Sequence, residues 1–539
     1  MLRRHICGSI NFGSSYEHLW LKSPPSPSPK PLAVILRQRN IYYNRNCTPC
    51  FQIHNLLLVD KGHNMKKTFF LLLSILILSL SESYGQEFSK EVIKFIEIQK
   101  PIIVIKNITL IDGTGGPSKT NQDIVITGDR ITSIGNSGKI EIPKTAKVIE
   151  GNGKTVIPGF VMLHEHLFYA KPFEGTYKAV HMTYTFPKMY LAGGVTTMRT
   201  AGSIEANTDL NVKGLINQGK MVGPNIDVST PHIERQGKIP QLQSLYGNEN
   251  IENWINYWVD KGVTSVKVYN NITKDDLAKI IKAAHARNIK VTGHLCSITY
   301  REAADMGIDN LEHGFAVSAD FISNKKENEC DNKKISQSLL ELDNNSPELK
   351  QLMEYLIKKN VTITYTPTVF EPYSGREIIP GGGNVALAPF LLEQITNIYK
   401  KNVNTSSDSM QNKIFKNDMF RIKKFYSMGG EIVVGTDPTG AGRTIAGYSN
   451  QRLIELLIEA GFNIEVAIKL STLNGAIYLG VDKETGSVEV GKKADLILIN
   501  GDLLNDVSKI REMEIVFKNG VGFNSKKIFE SVKGKLGLD

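Results

Sequence analysis

From residue 102 onward the chain alternates between two kinds of apolar pattern. Short β-branched runs ending in turn residues come first: Ile102 to Ile111 before Asp112-Gly113-Thr114-Gly115-Gly116, Asp123 to Ile126 before Gly128-Asp129, and Ile131 to Ile134 before Gly135-Asn136. Their spacing predicts antiparallel strands joined by tight turns. The tail returns to this style in Ala494 to Ile499 and in Ile515-Val516-Phe517 before Asn519-Gly520. Between them, residues 159–475 alternate strand-like runs with longer segments of helical period. Val195–Met198, Ile226–Ser229, Ser265–Val268, Lys290–Thr292, Asp309–Leu311, Val361–Tyr365 and Glu431–Val434 read as strands, and the run into His164 makes an eighth. The clearest helix is Lys274–Asn288. Thr273 and Asp276 form a capping-box pattern there, and Leu277, Ile280, Ile281 and Ala284 make an apolar stripe.

Eight β-α units of this length predict an α/β fold, a (β/α)8 TIM-type barrel with its active site at the C-terminal strand ends. The expected organisation is a barrel over 159–475 and a small composite β-sandwich domain built from 86–158 and 476–539. The long stretch 314–430 holds one strand and the run Gly381-Gly382-Gly383, which reads as partly a mobile loop and a candidate lid. No Gly-Lys-Ser/Thr follows those glycines, so a phosphate cradle is not indicated.

The N-terminus changes the picture. From Met65 the chain has Lys66-Lys67, an apolar run Phe69 to Leu80, and Ser83-Tyr84-Gly85 before Gln86. This is the pattern of a signal peptide over 65–85, with an apolar run too short for a membrane span. No cysteine follows it, so no stable membrane anchor is expected, and the product is expected to be periplasmic or secreted. Residues 1–64 then read as an upstream extension from a start site placed too early. The formal charge of +10 shrinks accordingly: residues 1–85 carry ten Lys/Arg and three Asp/Glu, which leaves +3 for the rest. There is no basic stripe with interleaved aromatics, so nucleic acid is excluded as a partner. Cys7, Cys47 and Cys50 fall in the upstream segment. Cys296 and Cys330 remain, either as a pair or as two free thiols.

The chemistry gathers at the strand ends. His164 and His166 flank Glu165 at the end of the first barrel strand. Residues i and i+2 of a strand point the same way, so both imidazoles can face one metal while Glu165 faces elsewhere. His294 ends KVTGH, His313 ends DNLEH, and Asp437 follows VVGT. Imidazoles with a carboxylate suit a catalytic metal centre that keeps an open position. Lys267 lies among apolar neighbours in Ser265-Val266-Lys267-Val268-Tyr269. Its ammonium would repel a dication, whereas a carbamate formed from the neutral amine and carbon dioxide is an anion able to bridge two. His181 and His285 fall in segments that read as helical and serve as structural histidines. His232 follows the third strand, where it can touch substrate.

Taken together, ITLIDGTGG, GKTVIPGFVMLHEH, AGGVTTMRT, VKVYNN, IDNLEHG, VVGTDP, STLNGAIYLG and TGSVEVGKKADLILING resemble the amidohydrolase superfamily, in its imidazolonepropionase- and prolidase-related branch. The resemblance covers nearly the whole chain after residue 86. It implies that His164 and His166, with Asp437, bind the more buried of two divalent metals, zinc by expectation. His294 and His313 bind the second, carboxylated Lys267 bridges them, and Asp437 is also the catalytic proton acceptor. The second-strand phrase departs from the usual Arg-Asp, since Thr200 follows Arg199; this puts a local salt bridge or substrate contact in question. Lys267 argues for two-metal, peptidase-like members, and the lack of an H-x-x-E phrase after His294 argues against deaminases. The expectation is an exported hydrolase of a C–N bond in a dipeptide-like or N-acyl amino acid substrate, anchored by Tyr269, His232 and Tyr300, with a homo-oligomer possible. Two alternatives are a mononuclear, imidazolonepropionase-like cyclic-amide hydrolase and an inactive ligand-binding barrel.

Overall fold

Six strands open the described chain: β1 (Ile96–Ile98), β2 (Ile102–Leu110), β3 (Lys119–Thr127), β4 (Arg130–Asn136), β5 (Lys147–Glu150) and β6 (Thr155–Pro158). The computed structural model describes residues 87–538 apart from 174–175, 236–240, 248 and 403–408. The expected extension 1–64, the signal peptide 65–85 and Cys7, Cys47 and Cys50 lie outside the described residues. Next come β7 (Phe160–Glu165), the hairpin β8 (Phe168–Phe173) and β9 (Thr176–His181), β10 (Val195–Thr200), β11 (Asn225–Asp227), β12 (Ile233–Arg235) and β13 (Gln243–Leu245). After these, β14 (Ser265–Val268), β15 (Lys290–Gly293), β16 (Asn310–Glu312), β17 (Thr362–Tyr365) and β18 (Ile432–Val434) alternate with helices. The chain closes with β19 (Leu496–Ile499), β20 (Met513–Lys518) and β21 (Val521–Asn524).

The result is an α/β fold with mixed sheets. Both chain ends meet in one sheet, in the order β1-β21-β20-β19-β6-β2-β3-β4, with β5 on β2. Alternation along β19 explains its place. Leu496 and Leu498 enter an apolar cluster with Ile103, Ile105, Ile124 and Ile126, whereas Ile497 and Ile499 enter the main core with Phe160, Met162 and Ala192. Successive side chains point to opposite faces, so a strand buried on both sides must be apolar throughout.

All eight strands read from the sequence are present, as β7, β10, β11, β14, β15, β16, β17 and β18. β7, β10 and β11 pair in parallel, as do β14 through β18 in chain order. Hydrogen bonds link the two groups. Thr264 N–H donates to Val228 O and Thr230 N–H to Ser265 O, both at 2.9 Å, and Thr436 and Asp437 N–H both donate to His164 O. The helix expected at 274–288 spans Lys274–Ala286 with the expected stripe buried. Thr273 caps it by accepting from Asp276 N–H, but the Asp276 carboxylate turns to the Thr273 hydroxyl and to Arg235.

Three expectations need correction. His181 ends strand β9 rather than sitting in a helix. The segment around Gly381–Gly383 is packed rather than loose: Gly381 and Gly382 take positive φ, and a side chain at Gly383 would run into Ile445 at 2.6 Å. Helices fill much of 314–430, including Pro347–Lys358 and Met410–Ser427. Cys296 and Cys330, left open by the sequence, form a disulfide.

Candidate metal centre

Each candidate ligand lies on or within three residues of the C-terminal end of a parallel strand. His164 is the fifth residue of β7, and His166 follows that strand. Lys267 is in β14, His294 and His313 follow β15 and β16 directly, and Asp437 is three residues past β18. The fold brings all six together. Ligand atoms of His164, His166 and Asp437 lie within 4.8 Å of one another. His166 Nε2 is 3.2 Å from Asp437 Oδ1, and His164 Nε2 is 3.6 Å from Oδ2. The His313 ring stands 4.7 Å from that of His164 and 4.3 Å from that of His294. Lys267 lies close enough for its charge to act on His164, His294 and Asp437.

Neighbouring acceptors fix the imidazoles. His164 Nδ1 is 2.7 Å from the Glu312 carboxylate and His166 Nδ1 is 3.0 Å from Gly202 O. Each Nδ1 therefore carries the proton and donates it, which leaves Nε2 as a lone pair aimed at Asp437. His313 Nδ1 is 2.8 Å from the Thr366 hydroxyl. Burial lowers the pKa of His164 and His313, and with help from Lys267 it takes His294 down to about 3. Neutral imidazoles are the form that ligates metal.

Gly202 is required at its place. Its φ is +104°, and a Cβ there would overlap the His232 ring, while its carbonyl is the acceptor for His166. Gly435 is pressed against the backbone of His164 in the same way. His313 and Asp437 themselves hold positive φ, +73° and +45°. Non-glycine residues enter this region at a cost that the surrounding structure must offset, and such residues gather at functional sites. The Asp437 carboxylate also accepts from the Thr439 hydroxyl at 3.0 Å.

Lys267 is buried, and its Nζ has no hydrogen-bond partner. The Glu312 carboxylate is 3.5 Å away, while burial depresses the lysine's pKa. Glu312 had no place in the sequence reading, yet it lies at the centre of this polar core. It accepts from His164 Nδ1, from Arg199 at 3.1 Å and from the Thr292 hydroxyl. The available signal was an acid directly before His313 at the end of a strand. Arg199 pairs with Glu312 through Nη2 and donates from Nε to Leu163 O at 2.9 Å, while its Nη1 has no hydrogen-bond partner, and Thr200 accepts from Ser229 N–H. The departure from Arg-Asp thus leaves no charge unpaired. Glu165 does face away from the metal centre, as expected. It accepts from Thr436 and Asn450, and burial pushes its pKa up to about 8.

The expected substrate contacts divide. The His232 ring lies 5.6 Å from His166 and 5.2 Å from Tyr269, and Tyr269 packs 4.9 Å from His294. Both therefore border the ligand cluster. Tyr300 does not. It is fully buried, and its hydroxyl donates to Glu312 O and Gly314 O, the two carbonyls flanking His313. Its expected substrate contact is corrected to a brace for the His313 turn. Phe168 in the unforeseen hairpin lies 4.4 Å from His166 and adds an apolar wall.

A sequence profile of the Amidohydrolase family matches residues 155–527. The chain belongs to the amidohydrolase family. This amidohydrolase is 31% identical over 114 residues to the 5-methylthioadenosine/S-adenosylhomocysteine deaminase of Moorella thermoacetica, which covers 20% of this chain and 27% of the deaminase. The chain thus spans about a quarter of that relative's length. It is 22% identical over 437 residues to the imidazolonepropionase of Alkaliphilus metalliredigens, covering 74% of this chain and 89% of that enzyme. Among solved structures, a Xaa-Pro dipeptidase with methionine bound in its active site superposes with a TM-score of 0.57 at 19% identity. The match covers 78% of this amidohydrolase and all of the dipeptidase, a likeness of fold.

Proposed function

We propose that this amidohydrolase is an exported, binuclear metal-dependent hydrolase of a C–N bond in dipeptide-like or N-acyl amino acid substrates. The observation that carries the reading is the joint arrangement of His164, His166 and Asp437 within 4.8 Å and a buried Lys267 Nζ with no hydrogen-bond partner. The eight parallel strands would form a (β/α)8 barrel over 159–475, and the sheet shared by 86–158 and 476–539 a β-sandwich. The Cys296–Cys330 disulfide favours an oxidising compartment, which supports export.

The donor set fits two divalent ions. His164, His166 and Asp437 would hold one, His294 and His313 the other, and Lys267 would join them as a carbamate. A buried amine whose pKa is depressed by burial favours that modification, since only the neutral amine reacts with carbon dioxide. When bound, the ions, zinc by the nature of the donors, supply Lewis acidity to an amide carbonyl and to the attacking water. Asp437 stands where a carboxylate can take a proton from that water and return it to the leaving nitrogen. His232 and Tyr269 border the site and orient substrate, and the Phe168 wall excludes water on one side.

A second reading, a mononuclear cyclic-amide hydrolase, is favoured by one observation: His164, His166 and Asp437 form a complete cluster without Lys267. Metal analysis separates the two on protein beginning at Gln86 and purified with bicarbonate, beside a Lys267→Ala variant. The expected result is about two ions per chain in the parent and a loss in the variant, with hydrolysis of members of a dipeptide and N-acyl amino acid library by the parent. One ion in both proteins would give the site to the second reading, and no metal in either would reject both.

A further inference from the structure

Among the described residues, seven of the ten arginines have a carboxylate oxygen within 4.0 Å. The exceptions are Arg301, Arg421 and Arg443. Arg301 stacks on Tyr355, and Arg421 is occupied by Asn344 and by the carbonyls of Leu339 and Leu342. Arg443 is different because it belongs to the loop that carries Asp437. Thr439 donates its hydroxyl to Asp437 Oδ1, Gly442 N–H then donates to Thr439 O at 2.5 Å, and Arg443 N–H donates to Gly440 O at 3.1 Å. The loop thereby doubles back within the six residues that separate Arg443 from Asp437. The Tyr169 hydroxyl fixes it from below by donating to Gly442 O.

The guanidinium is held but not neutralised. Its Nη1 donates to Pro372 O at 2.7 Å, and its carbon lies 4.7 Å from the Tyr373 ring centre and 5.9 Å from that of Tyr399. Tyr373 also hydrogen-bonds the arginine, and a guanidinium with five N–H donors keeps others for two-point recognition of a carboxylate. Arg443 is half-buried, so ligand can reach it. Tyr373 ties it to the site electrostatically, since Asp437 and Arg443 both act on its phenol, which in turn acts on Tyr269.

We propose that Arg443 is the specificity-determining cation of this centre and binds a free carboxylate of the substrate. This rests on the hydrolase reading above and narrows it: preferred substrates carry an unblocked acid, and the neutral carboxamides of the same compounds are discriminated against. The selection is charge on charge, at a fixed cation on the loop that carries Asp437.

The test is equilibrium binding by calorimetry to the metal-loaded protein. The probes are N-acetyl-leucine, N-acetyl-phenylalanine and N-acetyl-proline, each beside its carboxamide. The parent is expected to bind at least one acid about tenfold more tightly than its amide, and Arg443→Met to bind the pair within about twofold. Methionine keeps an apolar stem against Tyr373, and Arg443→Lys, which keeps the charge, should retain part of the preference. Equal binding of every acid and amide by the parent would overturn the proposal, as would no binding of any probe. A preference surviving in Arg443→Met would overturn it too, because the carboxylate would then be on the metals. Hydrolysis of the same compounds is scored separately: an acid preference without turnover would reject the hydrolase reading and leave the assignment of Arg443 standing.

Discussion

The two halves of the candidate metal centre are built differently. In the His164–His166–Asp437 half every side chain is buried, each imidazole has its Nδ1 committed to an acceptor, and the carboxylate is pinned by Thr439 and by its own backbone bond to His164. In the half of Lys267, His294 and His313, the lysine amine makes no hydrogen bond and has only the Glu312 carboxylate at 3.5 Å, and His294 is half-buried with its ring against Tyr269 and His313. His313 completes that half and links it to the first, with its Nδ1 on Thr366 and its ring 4.7 Å from that of His164. The difference teaches that the protein pre-orders one half by its own hydrogen bonds and leaves the other to be completed by what it binds. Pre-ordering lowers the reorganisation needed at binding, and a buried polar atom without a partner is a standing cost until one arrives.

Substitutions can break that contrast. The largest effect is expected at Asp437→Asn, which removes a charge from the ordered half. Turnover should fall by about three orders of magnitude, the scale for groups that act as a unit. A kcat/KM within tenfold of the parent, on protein with unchanged circular dichroism, would show that the ordered half is not the centre. Lys267→Ala should act selectively, costing about one ion per chain while the ion held by His164, His166 and Asp437 stays; loss of both ions together would mean the halves are not separable.

Glu312→Gln should be milder at the metals and harsher on the fold. Weakening the support of His164 is expected to lower metal affinity about 10–100-fold. Leaving Arg199 and Lys267 without their buried acid should cost about 3–5 kcal/mol in chemical denaturation. A variant as stable as the parent would remove Glu312 from the centre of the polar core.

The smallest effect concerns the shared turn. Asp418 accepts from Phe315 N–H at 2.8 Å just behind His313, and burial pushes its pKa up to about 7. A folded-state pKa above the ordinary aspartate value makes its contribution fully present below about pH 4 and lost as the pH rises through 7. The melting temperature of the parent should therefore decline between pH 5 and 8. Asp418→Asn should flatten that decline by about 3 °C. Parallel profiles for the two proteins would contradict the assignment.

Much of this was legible in the sequence, and for identifiable reasons. The eight parallel strands could be read because buried strands are apolar runs of fixed length bounded by turn residues. The six ligand candidates could be read because each breaks such a run at its end. The β8–β9 hairpin was not read. Pro172 within the first run weakened the strand signal, although the register Phe173↔Thr176 leaves only two residues between the strands. Glu312 was overlooked and Tyr300 misplaced for one shared reason: their roles depend on partners outside their own element, Arg199 and His164 for the acid, the carbonyls of Glu312 and Gly314 for the phenol. Sequence pattern reports which face a residue occupies, and it does not report what stands opposite.

The Cys296–Cys330 disulfide makes residues 296–330 a covalent ring, and His313 lies inside it while His294 sits two residues outside. One cut within that ring, for instance after the well-exposed Lys326, would leave the molecule a single covalent piece. Such a nicked chain should run at full length without reductant and as two fragments with it. Asp437 would stay tethered to the five other ligand candidates through the sulfur atoms after the peptide chain between them had been broken.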